Sequence, residues 1–415
     1  MKILWFCNQI PSYYASKLNI STGSGGGWME QLAQQLTTDN ELYIVAPISR
    51  RKKLIWGKKA EKAICYAIPT YKMALAPSSK VGEYYEKIIK ESKPDVIHIW
   101  GTEYVHSYTA IQMCKKTGVL EKTIISIQGM VSVYATHYLA FISLSDFPIT
   151  VYDILKHSTV RQQQNQFIKR GFYEIKAIEQ ARHVIGRTDW DYACTKQINP
   201  DVNYHFCNET LRASFYCKRW NIDTCERHSV FLSQSHYPIK GMHLALEAIA
   251  LLKDKWPDIH LYTTGHLKEE NDITITSYQR YLRKKIRALG IERYVSYLGP
   301  LSEAAMCERF CKSHVFVSAS SIENSPNSVG EAMLLGMPVV SSDVGGVKNM
   351  LTHGCEGYIY QADAPYMLAY YIDKIFTNDD LAVELGTNAR THAMHTHDSE
   401  ENFRALMTIY SEVGI

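Results

Sequence analysis

The stretch Ser318-Ala-Ser-Ser-Ile-Glu-Asn-Ser-Pro-Asn-Ser-Val-Gly-Glu-Ala-Met-Leu-Leu-Gly-Met-Pro-Val-Val-Ser-Ser-Asp-Val-Gly-Gly346 decides the fold. It continues an apolar strand, Val315–Ser318, into a polar loop that carries Glu323. A helix is predicted to start near Asn327 or Ser328 and to stop at Gly336, since glycine readily takes the left-handed conformation that ends a helix. Pro338 opens the next apolar run, Pro338–Ser341. Strand, loop, helix and strand in this order form one unit of a parallel sheet covered on both faces.

The start of that helix also carries chemistry. Its first N–H groups have no partner inside the helix and lie at the positive end of its dipole, so a diphosphate could rest there without a metal. Glu331 follows Glu323 by eight positions and falls in the first turn, placed to accept hydrogen bonds from a ribose diol. Glu323, on the preceding loop, can reach a sugar beyond the phosphates.

The same alternation extends outward. In the second half, Val230–Leu232, His260–Thr263 and Val295–Leu298 read as strands, separated by helical patterns at Met242–Lys253, Tyr278–Leu289 and Glu303–Cys311. In the first half, strands are predicted at Ile3–Cys7, Leu42–Val45, Val96–Ile99 and Thr123–Ile127, with helices at Trp28–Leu36, Lys80–Glu91 and Tyr104–Lys116. Residues 132–160 break the rhythm as an insertion before a polar helix around Val160–Ala181, and the join lies in the irregular stretch Asn199–Arg227. A chain of 415 residues suits two domains of roughly 200 residues each.

Composition fits a folded protein, with 46% hydrophobic and 21% charged residues. A net charge of +3 gives no reason to expect nucleic acid. The ten cysteines form no CxxC pair and no zinc framework, which reads as free thiols in a reducing cytoplasm. No window approaches the roughly 18 apolar residues of a membrane span, and the N-terminus has no signal-peptide pattern.

The Glu-x7-Glu arrangement followed by Pro338-Val-Val-Ser-Ser-Asp-Val-Gly-Gly346 resembles the signature of family 4 retaining glycosyltransferases of GT-B fold. Ile239-Lys-Gly241, Asp95-Val-Ile-His-Ile-Trp-Gly101 and Gly23-Ser-Gly-Gly-Gly27 are similar to further landmarks of that family. The resemblance implies two Rossmann-like domains facing across a deep cleft. Residues 1–205 would form the acceptor-side domain, 206–395 the nucleotide-sugar domain, and 396–415 a terminal helix packing back on the first. It assigns Lys240 to the donor phosphates, Glu323 to the donor sugar and Glu331 to the ribose. Asn324, Ser325, Asn327, Ser328 and Val329 would contact sugar and phosphate, and Gly25, Gly26 and Gly27 would let backbone approach the phosphates.

Three positions depart from the family, one of them Asn349, where an acidic residue often follows the Gly-Gly pair. Gln234 stands where the family has an arginine that neutralises the diphosphate, so either His236, Arg187 or another group replaces it or the leaving group is less stabilised. Gln128 stands where the family has a histidine near the sugar; it can hydrogen-bond a hydroxyl but cannot act as a base. Asp189-Trp-Asp191 resembles a metal-binding Asp-x-Asp, but its position after Gly186-Arg-Thr reads as a helix start, and no metal or other cofactor is expected. His392, His395 and His397 read as a polar helix end, and Cys307 with Cys311 as packing.

The implied activity is transfer of a sugar, with retention, from a nucleotide diphosphate sugar co-substrate, UDP-sugar before GDP-sugar. The acceptor would be a glycan or a polyprenyl-diphosphate-linked saccharide in bacterial surface polysaccharide assembly. That pathway rests on Gly186–Asp191 and Asn208–Arg212. Arg50-Arg-Lys-Lys-Leu-Ile-Trp-Gly-Lys-Lys59 is either a solvated hairpin or a contact with an anionic membrane on its inner face, each cation contributing about 1 kcal/mol. An epimerase or hydrolase of the same fold, or a catalytically silent nucleotide-sugar-binding subunit, remain the rival readings.

Overall fold

The structure, a computed structural model, describes residues 1–20, 28–70 and 74–414. It has the α/β architecture expected from the alternating pattern, with two compact units. The first comprises Met1–Val133, Gln166–Thr210 and Asp398–Ile415; the second comprises Tyr134–Asn165 and Leu211–His397.

Among the described residues the first unit has an eight-stranded sheet. Its strands are β1 (Lys2–Phe6), β2 (Glu41–Ile48), β3 (Ile55–Ala60), β4 (Ala63–Pro69), β5 (Val96–Trp100), β6 (Thr123–Ser126), β7 (His183–Gly186) and β8 (Asn203–Phe206). They lie in the order β3-β4-β2-β1-β5-β6-β7-β8, parallel except for the β3–β4 pair. All five residues of β5 are buried, as a strand covered on both faces requires. That burial includes His98, which uses both ring nitrogens: Nδ1 lies 2.6 Å from the Tyr410 hydroxyl and Nε2 lies 2.6 Å from Ser126 Oγ. Burial pushes its pKa down to about 3, so the ring is neutral.

Tyr410 belongs to helix Ser399–Val413, whose Leu406, Ile409, Tyr410 and Val413 join Trp5, Trp100 and Ile124 in one core. Trp5 Nε1 donates to the Tyr410 hydroxyl at 3.1 Å. On the antiparallel edge, Trp56 packs edge-on against Tyr66 and donates Nε1–H to Glu91 at 3.0 Å, while Lys58 and Lys59 are exposed. The indole of the basic stretch is therefore engaged in packing.

The second unit has a six-stranded parallel sheet among the described residues. Its strands are β9 (Glu226–Leu232), β10 (His260–Thr263), β11 (Val295–Tyr297), β12 (Ser313–Ser318), β13 (Val339–Ser342) and β14 (Tyr358–Tyr360). Their order is β11-β10-β9-β12-β13-β14, with β12 wholly buried. The 134–165 segment groups with this unit, not with the first as the sequence division at 205 had it. The reason is local bonding: Ala140 O lies 2.8 Å from His243 Nε2, the Ser277 N–H donates to Asp153 at 2.5 Å, and Phe147 packs on Tyr281.

Candidate active site

In the second unit, β12 ends at Ser318 and helix Asn327–Leu335 begins eight residues after Ala319. The intervening loop is fixed from three sides. Ser321 N–H donates to Ile239 O at 2.8 Å, Ser342 Oγ donates to Ser320 O at 2.6 Å, and Ser321 Oγ donates to His137 O at 3.0 Å. Two glycines allow this approach. Gly241 has φ +68°, and a Cβ there would lie 1.7 Å from Ala319 O; Gly345 has φ +51°, and a Cβ would lie 1.7 Å from Glu323 O. The glycines of the Lys-Gly and Gly-Gly pairs thus let two loops close on the Glu323 segment.

The result is a direct ion pair between Lys240 Nζ and Glu323 Oε1, with Ser320 Oγ donating to the same oxygen at 2.7 Å. Glu323 is 7% exposed, so the pair lies largely out of water. Burial works to lower the Lys240 pKa, but Glu323 and Tyr237 outweigh it and hold the amine above its ordinary value. Asn324 is buried and its N–H donates to the Tyr134 hydroxyl at 3.1 Å. Ser325 Oγ lies 3.4 Å from Met350 Sδ. Asn327 and Ser328 are partly exposed in the first turn and Val329 is buried; Pro326 precedes them and no side chain caps the helix. Val329 N–H already donates to Pro326 O at 2.9 Å, so it is the N–H groups of Asn327 and Ser328 at the helix start that no side chain caps.

Glu331 lies inside this helix and is buried, with both carboxylate oxygens held by Arg212. Burial raises its pKa and Arg212 opposes the rise. A carboxylate offers about four lone-pair sites, so the bidentate pair leaves room for a further donor.

Gln234 follows β9 and is exposed. Neighbouring His236 faces Gly265, and burial together with the Lys240 charge lowers its pKa, so at neutral pH it offers hydrogen bonds but no positive charge. Gln128 belongs to the first unit, where its Nε2 donates to Glu209. Arg187 donates to the same Glu209 carboxylate at 2.7 Å and to Gln128 O at 3.4 Å, so its charge is already paired. Gly25, Gly26 and Gly27 lie outside the described residues. Asp189 begins helix Asp189–Ile198, and Asp191 completes a capping box with Thr188. Among the described residues no group of three or more His, Cys, Asp or Glu is gathered as a metal cluster.

The sequence reading missed three contributors: Tyr134 and His137, which brace the loop from nearly two hundred residues upstream, and Arg212 as the partner of Glu331. Nothing in local spacing links them to Glu323 or Glu331. The signal available was the Asn208–Arg212 segment, whose arginine had no assigned role.

Residues 218–392, which contain Lys240, Glu323 and Glu331, match the family described as Glycosyl transferases group 1. A D-inositol 3-phosphate glycosyltransferase of Corynebacterium urealyticum is 24% identical over 174 residues, 41% of this chain and 40% of that protein. The chain spans about half or less of the length of the curated relatives it matches. Sucrose-phosphate synthase from Thermosynechococcus elongatus superimposes with a TM-score of 0.70 at 14% identity, covering 100% of this chain and 99% of that one. Anabaena HepE in complex with UDP and glucose gives 0.68 at 15% identity, covering 99% and 100%. Residues 218–392 are thus similar to group 1 glycosyl transferases, within a chain of two parallel-sheet units that shares its fold with sucrose-phosphate synthase and HepE.

Proposed function

We propose that this chain is a retaining, metal-independent glycosyltransferase of the family 4 type, moving a sugar from a UDP-sugar to a glycan or lipid-linked saccharide in bacterial polysaccharide assembly, at the inner face of the membrane. The observation that carries the reading is the Lys240–Glu323 pair beside the uncapped start of helix Asn327–Leu335. A leaving diphosphate needs positive charge where its negative charge grows, and a lysine with the uncapped N–H groups of Asn327 and Ser328 supplies it without a metal. Glu323 is placed to accept a donor-sugar hydroxyl, and Glu331 to share its carboxylate between Arg212 and a ribose diol. In the reaction, the bond from the anomeric carbon to the diphosphate oxygen breaks as the acceptor oxygen bonds on the same face. The acceptor proton passes to the leaving phosphate.

Support comes from the group 1 match over the three named residues and from a structural neighbour held with UDP and glucose. The test is thermal stabilisation by a panel of nucleotide diphosphates and their sugars, with and without EDTA. A selective, EDTA-insensitive shift that disappears in Lys240→Ala is the expected result. No shift with any donor, from folded protein at saturating ligand, would overturn the reading.

Gln234 favours a second reading, a silent binding subunit, because one charge on the diphosphate is absent there and neutral His236 does not restore it. Donor binding without turnover, with or without acceptors, would select it. Donor consumption without acceptor would select an epimerase or hydrolase.

A further inference from the structure

Phe141, Leu144, Ile149, Val151, Ile154 and Leu155 are each between 41% and 74% exposed, within fifteen consecutive positions of the second unit. Val151, Ile154 and Leu155, spaced i, i+3 and i+4, share one face of the helix Val151–Lys156, and a contiguous exposed apolar face marks a place where water is displaced by something else. The segment is not loosely held. Its inward side is pinned by Asp153, 1% exposed, which accepts from Ser158 Oγ at 3.2 Å and from the Ser277 N–H at 2.5 Å. Thr150 caps the short helix Val151–Lys156 by accepting from the Asp153 N–H at 3.1 Å. Phe147 packs on Tyr278 and Tyr281, and Ala140 O meets His243. The chain therefore spends its polar and aromatic groups on anchoring and holds its aliphatic groups outward in fixed positions.

Two further features select the occupant. Lys268 lies 5.5 Å from the Tyr152 ring centre and donates to Thr274 O at 2.9 Å, which brings Ile273, 86% exposed, alongside the same short helix. Lys156 and Arg161 follow the apolar run as exposed cations, with Asp146 the exposed acid within it. Protein interfaces are enriched in aromatic residues, methionine and arginine at their centres. Here the protruding residues are aliphatic except Phe141, and cations flank them, the composition of surfaces that dip into a lipid headgroup layer.

We propose that the outward side of residues 141–155, with Ile273, docks this chain on an anionic lipid bilayer. It is a different surface from the basic edge strand, and it does not depend on the sugar-transfer reading. The experiment is co-sedimentation of the full chain with vesicles of phosphatidylcholine, with and without phosphatidylglycerol, in the absence of nucleotide sugar. Four proteins are compared: the unmodified chain, Ile154→Ser/Leu155→Ser, Ile149→Ser/Val151→Ser, and Lys52→Ala/Lys53→Ala/Lys58→Ala/Lys59→Ala. Because the serine positions are exposed, melting curves should match the unmodified chain and certify folding. Binding to phosphatidylglycerol vesicles is expected to fall about tenfold or more in each serine pair. It should fall less in the lysine variant. No vesicle binding by the unmodified chain would overturn the proposal, as would unchanged binding by folded serine variants. Loss confined to the lysine variant would also overturn it, pointing to the edge strand. A concentration-dependent dimer that the serine pairs abolish, without vesicle binding, would overturn it in favour of a second copy of the chain.

Discussion

Arg212 grips Glu331 through two hydrogen bonds of 2.6 Å, joining positions 119 residues apart. The glutamate side chain is 5% exposed and the arginine 24%, so the pair is sheltered more completely on the acidic side. Removing the cation leaves a buried carboxylate without its counter-charge. Removing the charge of the carboxylate leaves an arginine that can still reach water.

The two substitutions should therefore differ. Arg212→Ala is expected to cost about 3 kcal/mol of stability, because an unpaired buried charge remains. Glu331→Gln should cost less while abolishing the donor-induced thermal shift. Urea melts of both variants check the order; equal losses would contradict the asymmetry.

Gly241→Ala should be costly for a geometric reason. Its left-handed backbone and the 1.7 Å approach to Ala319 O add up to at least about 2 kcal/mol, and the displaced loop should cost donor affinity more than stability. Gly118→Ala is the control: φ is +75° but nothing lies within 4 Å of the added carbon, so about 1 kcal/mol is expected, with unchanged donor binding. Calorimetric melts with and without UDP separate the two.

His98 predicts an acid-sensitive fold. Its pKa is about 3 in the folded protein and about 6.5 when unfolded, so between these values the unfolded chain binds the extra proton. Stability should then fall as pH drops below about 6.5, by up to about 1.4 kcal/mol per pH unit from this residue. His98→Gln should be less stable at pH 8 yet show a shallower decline between pH 6 and 4. Urea midpoints across that range measure the slope.

Glu103 works in the opposite sense. Its Oε2 is buried without a hydrogen-bond partner among the described residues, and burial pushes its pKa up to about 7. The folded state binds this proton more tightly than the unfolded one, so its contribution is full below about 4.5 and is lost as pH rises through 7. Glu103→Gln should accordingly stabilise the protein by about 1–3 kcal/mol at pH 8.5 and have little effect at pH 4. Midpoints at the two pH values decide it.

Much of this was readable before any coordinates. Val315–Ser318, Gly336 and Pro338 carry local signals, and β12, helix Asn327–Leu335 and β13 form where they say. The Lys240–Glu323 contact was less readable. Each residue was singled out by its own motif, and their meeting depends on Gly241 packing against Ala319. Tyr134 and His137 left no trace in the sequence, since a contact across 190 positions obeys no period. β3 and β4 were overlooked for a different reason. The charges of Arg50–Lys59 read as a solvated hairpin or a membrane contact, whereas the exposed edge strand β3 tolerates lysines that a central strand would not; the apolar run of β4 was simply passed over.

The helix Ser399–Val413 gives this chain an unusual order of assembly. Synthesis lays down β1 first, yet the hydroxyl that satisfies Trp5 and His98 arrives some four hundred residues later, with Tyr410. A nascent chain that has already completed all of β9–β14 still holds a first sheet with an open apolar flank and two unmet polar groups. The sheet of the second unit can therefore be complete before that of the first, which waits for Tyr410 to be made, and the exposed flank in that interval is where chaperones should engage.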